Sequence, residues 1–167
     1  MKSRLRIQAG FSLLELLTVI AIIGIFVLFV IPNMVEFAKS NQIRTSVRGF
    51  TADVRQARQL AVSRNAQARL TFSTGATANN YAMFTSTDGG TTWTKFGPTK
   101  TLEQIVHFQS TDFVDSTSDG RPDIIFLPNG TVSPMPANGR VVLQTNQSIP
   151  HPSVTVRLSA AGSVTSR

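Results

Sequence analysis

From Leu13 to Ile31 the chain is apolar at every position except Glu15, Thr18 and Gly24. As a helix rising ~1.5 Å per residue, the run crosses most of a ~30 Å hydrocarbon core. Core helices of soluble domains seldom reach that length, so the run reads as a membrane segment. Pro32 follows, and its ring and missing N–H predict a kink. Beyond it the pattern changes to a stripe, with Ile43, Val47, Phe50, Val54, Ala57 and Ala61 recurring at helical spacing. The two patterns together predict one long helix. It is apolar all round up to Ile31 and amphipathic from about Met34 to Ser63, with its stripe laid against a sheet.

After Asn65 the period shortens. Thr, Ser, Gly and Asn become frequent, and short alternating runs predict strands at Ala68–Ser73, Tyr81–Thr85, Thr91–Phe96, Ile105–Gln109, Ile124–Leu127, Arg140–Leu143 and Val154–Leu158. Thr87-Asp88-Gly89-Gly90 predicts a tight hairpin turn, because Asp-Gly and Gly-Gly supply the positive φ such turns need. Tyr81 and Trp93 are expected to pack across that hairpin. Strands without intervening helices imply antiparallel pairing. The fold class is α+β: a long N-terminal helix packed on antiparallel β-sheet structure.

Composition narrows the picture. A chain of 167 residues suits one modest domain plus a helix, and the absence of cysteine removes disulfides and thiol nucleophiles. Glu15 is the costly residue of the apolar run. A carboxylate within a bilayer helix costs a few kcal/mol, unless it sits near the headgroups in the first turn or finds a cationic partner. The polar face of the second helix half is basic: Lys39, Arg44, Arg48, Arg55, Arg58, Arg64 and Arg69 against Glu36 and Asp53. Such a row is either a surface for DNA or anionic headgroups, or a solvated face that pairs with neighbouring subunits. The second reading is favoured, because no aromatic residues interleave with the arginines.

The segment Gly10-Phe11-Ser12-Leu13-Leu14-Glu15-Leu16-Leu17, with the apolar run and Pro32, resembles the prepilin signal of type IV pilins and pseudopilins. The resemblance implies a cleaved leader (residues 1–10, with Lys2, Arg4 and Arg6) and cutting between Gly10 and Phe11 by a prepilin peptidase. It further implies N-methylation of Phe11 by the same enzyme class. Residues 11–32 would then form the transmembrane and filament-core helix, 33–66 its amphipathic continuation, and 67–167 a periplasmic β-rich region. Glu15, fifth in the mature chain, would pair with the terminal amine of a neighbouring subunit, and Glu15 and Pro32 are the assembly residues. Loss of the leader lowers the formal charge from +7 to +4, and its cations place the N-terminus in the cytoplasm of a single-pass inner-membrane protein.

Within that superfamily the helix ending Asp53-Val-Arg-Gln-Ala-Arg-Gln-Leu-Ala-Val-Ser-Arg64, the turn Leu127-Pro-Asn-Gly130 and the closing Val154–Val164 segment resemble the H-type minor pseudopilins of type II secretion. That group merges with FimT-like minor pilins. The resemblance implies a structural subunit of the inner-membrane-rooted pseudopilus that drives protein secretion, with other pilin or pseudopilin subunits as partners. The alternative is a FimT-like minor type IV pilin binding DNA for natural transformation through Arg44, Arg48, Arg55, Arg58, Arg140 and Arg167. The Gly-Arg-x-Arg tail of some FimT-like members is broken here. The chain ends Gly162-Ser-Val-Thr-Ser-Arg167, and Gly139-Arg140 keeps only the first half. DNA is therefore the less favoured partner.

Other chemistry finds little footing. Asp115, Asp119 and Asp123 are the candidate calcium ligands, but Thr117 stands at the third loop position and Phe126 where a bidentate Glu belongs. The stretch is read as an acidic surface loop, and no metal or cofactor is assigned. His107 and His151 lie in no metal-ligand spacing, and no serine sits in a Gly-x-Ser-x-Gly elbow. The chain is not read as an enzyme.

Overall fold

The structure is a computed structural model. Its described residues are 12–147 and 153–166, with the side chains of 28–33 outside the description. One helix, α1, spans Leu13–Arg64. Eight strands follow: β1 Gln67–Phe72, β2 Asn80–Ser86, β3 Thr94–Thr101, β4 Val106–Thr111, β5 Asp123–Phe126, β6 Arg140–Thr145, β7 Ser153–Leu158 and β8 Val164–Ser166. The chain divides into two compact units, Met1–Ala38 and Lys39–Arg167.

The first unit is the apolar part of α1. Helical backbone continues through position 32. Large apolar side chains stand open along it, from Leu13 (79 % exposed) to Phe26 and Phe37. Thr18 satisfies its hydroxyl within the helix by donating to the Leu14 carbonyl at 2.7 Å. Among the described residues no helix is long and apolar enough to cross a membrane; the described apolar stretch stops at Val27.

In the second unit α1 lays its stripe on two four-stranded sheets. Ile43, Val47, Phe50, Val54, Ala57 and Ala61 are all buried. The helix ends where Asn65 turns to φ 48°. Asn65 N–H then reaches the Val62 carbonyl (3.3 Å) and Ala66 N–H the Ala61 carbonyl (3.1 Å), the paired closure that satisfies the last carbonyls of a helix. Asn tolerates the left-handed region better than other non-glycine residues.

The strand orders are β3-β2-β1-β5 and β4-β6-β7-β8, every pairing antiparallel. Phe50 ties both sheets to the helix. Its ring lies 5.9 Å from Phe72 of β1, 5.4 Å from Tyr81 of β2 and 5.1 Å from Phe108 of β4, all edge to face.

Four expectations need correction. Tyr81 and Trp93 do not pair across the hairpin. Tyr81 is the second residue of β2 and faces Lys100 at the far end of β3, whereas Trp93 precedes β3 at the turn end. Strand β3 begins at Thr94 because the Asp88 carboxylate takes the N–H groups of Thr91 (3.1 Å) and Thr92 (3.0 Å), which prolongs the turn. Arg69 is not part of the helix's basic face. It lies in β1 and is buried. The eighth strand, Val164–Ser166, closes the second sheet beyond the seven predicted.

Candidate functional site

Of the residues expected to serve processing and assembly, Glu15 falls at the head of α1. Gly10 and Phe11 lie outside the described residues, as does the Pro32 side chain. Glu15 stands in the first helical turn, where carboxylates complement the helix dipole. The Ser12 carbonyl accepts the Leu16 N–H at 3.1 Å, so the helix is closed around it. What this segment can do is present an acid at the start of an apolar rod whose side chains have no cover of their own.

The arginines separate into two groups. Helical rotation of about 100° per residue puts positions 44, 48, 55 and 58 on one arc of roughly 80°. All four line shallow grooves between α1 and the β7–β8 edge. Arg44 and Arg48 lie beside Val154 and Ser166, and Arg55 and Arg58 beside Gly162, Ser163 and Val164. Arg58 Nε donates to the Gly130 carbonyl at 3.0 Å, and Arg55 reaches the Val164 carbonyl at 3.5 Å. Gly162 is packed so closely here that a Cβ would meet the Gly130 carbonyl oxygen at 2.5 Å. Arg140 stands apart, forked onto Asp112 with Nε–Oδ2 at 2.9 Å and Nη2–Oδ1 at 3.2 Å. Its side-chain hydrogen bonds hold the Asp112 carboxyl below its usual range. Arg167 lies outside the described residues.

The acidic loop is organised around a cation of the protein's own. Carboxylate oxygens of Asp115, Asp119 and Asp123 lie within 4.8 Å of one another. Arg69 Nη1 sits 3.0 Å from Asp119 and 3.5 Å from Asp123, and it also donates to the Thr117 hydroxyl. Its guanidinium is stacked between Phe84 and Trp93, 4.8 and 4.9 Å from the ring centres. Asp115 folds the loop by accepting the N–H groups of Gly120 at 2.7 Å and of Thr117 and Asp119 at 3.2 Å. Burial raises the Asp123 carboxyl above its ordinary range despite the Thr117 hydroxyl and Arg69 beside it. With a guanidinium already among the acids, the donor set does not fit a divalent cation.

A second ion pair, buried on its acid side and open on its lysine side, was not foreseen. Asp53, on the edge of the apolar stripe, accepts from the Tyr81 hydroxyl at 2.6 Å and from Lys100 Nζ at 2.5 Å. Burial, with the Asp53 carboxylate adding to it, pushes the Tyr81 hydroxyl far up. The signal in the sequence was its position. Asp53 follows Phe50 by three residues and so falls on the buried arc, where an acid needs a partner. His107 is also buried, with Nε2 at 3.0 Å from Gln109. His151 lies outside the described residues.

A single long helix seated on two antiparallel sheets, with an apolar rod at its head, defines a pilin-like filament subunit. The profile of the family described as type II transport protein GspH matches residues 46–162, and the prokaryotic N-terminal methylation motif matches residues 5–31. The chain belongs to the GspH family. Its fold is similar to that of the type IV minor pilin FimU of Pseudomonas aeruginosa (14 % identity over 77 % of this chain and 90 % of that one, TM-score 0.52). It is also similar to the minor pseudopilin EpsH of the Vibrio cholerae type 2 secretion system (11 % identity, 74 % and 94 % covered, TM-score 0.52). No curated protein matches the chain by sequence. The chain is thus a minor pseudopilin or minor pilin subunit, anchored in the inner membrane and built to assemble with other pilin-like subunits. Binding DNA is not the favoured role. Of the six arginines assigned to it, Arg140 is neutralised away from the shared face.

Proposed function

We propose that this chain is an H-type minor pseudopilin of a type II secretion system, a structural subunit of the pseudopilus rooted in the inner membrane. The observation that carries the reading is the GspH match across the globular unit, on a chain whose head has the methylation motif. A prepilin peptidase cuts Gly10–Phe11 on the cytoplasmic side and the new Phe11 amine is methylated. The apolar helix holds the subunit in the membrane, N-terminus in the cytoplasm and residues 67–167 in the periplasm. On assembly Glu15 meets the terminal amine of a neighbour. A charge buried in lipid or in a filament core is tolerated when paired and becomes costly once its partner is lost. Pro32 adapts the helix to that packing.

The test is Glu15→Ala in the native host. Normal leader removal with at least a tenfold fall in filament incorporation is expected. Normal incorporation would remove the registration role, and intact secretion in a deletion strain would remove the assignment to secretion.

A further inference from the structure

The arginine grooves are a feature that assembly through the apolar helix leaves unused. The open groove holding Arg55 and Arg58 has a volume of about 680 Å³, and the groove with Arg44 and Arg48 lies on the same helix face. No acidic side chain lines either one. Arg58 is held by the Gly130 carbonyl and Arg55 reaches the Val164 carbonyl, each through one nitrogen, so among the described residues their other N–H groups have no hydrogen-bond partner. The floor carries the side chains of Val62, half exposed, and Val164. One wall is a sheet edge, because β8 is the last strand of its sheet. It pairs only with Val156–Leu158, so among the described residues Ser153, Val154 and Thr155 have no strand on that side.

We infer that this double groove receives an extended acidic segment of a neighbouring filament subunit. Positions 44 to 58 span roughly 21 Å of helix at ~1.5 Å per residue. A strand with an acid at every second residue presents four carboxylates over roughly 20 Å at ~3.3 Å per residue. Four arginines cover the same overall span, at rises of roughly 6, 10.5 and 4.5 Å, so the ladder is matched in length rather than in even spacing. Among the described residues Ser153 and Val154 of β7 have no strand on that side and offer backbone groups to an added strand. The apolar floor of Val62 and Val164 and the adjoining sheet edge suit an extended peptide better than a duplex, whose sugar–phosphate backbone offers neither apolar side chains nor strand hydrogen bonds. The inference rests on the filament-subunit reading for the identity of the occupant, though not for the existence of the groove.

The experiment uses the full chain in detergent micelles and a fluorescent eight-residue peptide alternating glutamate and threonine, followed by anisotropy at 50 mM salt or thereabouts. Expected is saturable binding that the glutamine–threonine peptide does not reproduce. R48Q/R55Q should weaken it at least tenfold, and R121Q, on the acidic loop, should leave it unchanged. R44Q/R48Q, two arginines without hydrogen bonds among the described residues, serves if the first pair alters the melting temperature. Equal binding of the two peptides, or no binding, overturns the inference. So does a DNA duplex that binds more tightly and loses affinity in the same variants. A failed peptide experiment alongside a Glu15→Ala assembly defect would remove the groove and leave the filament reading standing.

Discussion

Replacing Arg69 with methionine is the sharpest probe of how the β-region is held together. The guanidinium is almost fully buried (6 % exposed) and is, among the described residues, the only cation paired with Asp123, whose side chain is fully buried (0 %). Arg69→Met keeps much of the volume between Phe84 and Trp93, so packing is largely preserved. What changes is charge. Asp123 becomes a buried acid without a counter-ion, a situation that typically costs about 3–5 kcal/mol. Loss of two cation–π stacks adds about 0.5–2 kcal/mol. The sum is about 3.5–7 kcal/mol, and its middle, about 5 kcal/mol, corresponds to a fall of roughly 10–20 °C in melting temperature for a chain of this size.

The assay is thermal and urea unfolding of four proteins: wild type, R69M, D123N and R69M/D123N. The double variant should recover to within about 1–2 kcal/mol of wild type, since a buried ion pair replaced on both sides by neutral groups is often near neutral. The pH dependence gives a second readout. Burial raises the Asp123 carboxyl in the folded state, and removal of Arg69 raises it further. The folded protein then binds a proton that the unfolded chain releases. The R69M deficit should therefore shrink as pH falls through the folded-state value and be greatest at neutral pH. A deficit below about 1 kcal/mol, or one that D123N does not relieve, would refute the claim that Arg69 is the loop's internal cation.

Three further outcomes are expected. Gly162→Ala should destabilise by more than about 2 kcal/mol, because φ is +74° and the new Cβ would meet backbone at 2.5 Å; Gly120→Ala, at φ +81° in open space, should cost only about 1 kcal/mol, and equal effects in urea melts would contradict the packing. Phe50→Ala should cost about 3–5 kcal/mol in the same melts, since its ring bridges both sheets. Asp112, held low by Arg140, contributes stability that is present above the ordinary carboxylate range and lost as pH falls through its lowered value; D112N should flatten the acid limb of a urea-midpoint titration, and an unchanged limb would discard the pair as a contributor.

Much of the fold was legible because periods report burial. The six stripe residues of α1 repeat every three or four positions, and all six are covered by sheet. The Asp88-Gly89-Gly90 turn was legible because few sequences tolerate its backbone. Arg69 was not legible, because alternation in β1 puts Gln67, Arg69 and Thr71 on the face opposite Ala68, Leu70 and Phe72. That face would be solvated in a one-layer sheet. Here the 112–123 loop comes over it, and Arg69 and Thr71 are buried as well. The two-sided burial is made by residues some fifty positions away, which no local period records. Strand β8 escaped for a different reason: three residues are too few to show alternation.

The arginine row shows how one sequence pattern serves two purposes. The spacing at 44, 48, 55 and 58 guarantees a shared face but says nothing of what stands opposite. The structure puts the β7–β8 edge there, which converts a row of surface cations into the wall of a trough. The inner pair, Arg55 and Arg58, also fastens α1 to the start of β8 at Val164 and to the turn at Gly130. The outer pair makes no such bond among the described residues. Neutralising the outer pair should therefore change binding without changing stability, whereas Arg58→Gln should lower both. In urea melts of the full chain, a stability loss of about 1 kcal/mol or more for Arg58→Gln, against less than about 0.5 kcal/mol for Arg44→Gln, is the expected split. Equal losses would mean that the row is a uniform solvated face, with no division between fastening and recognition.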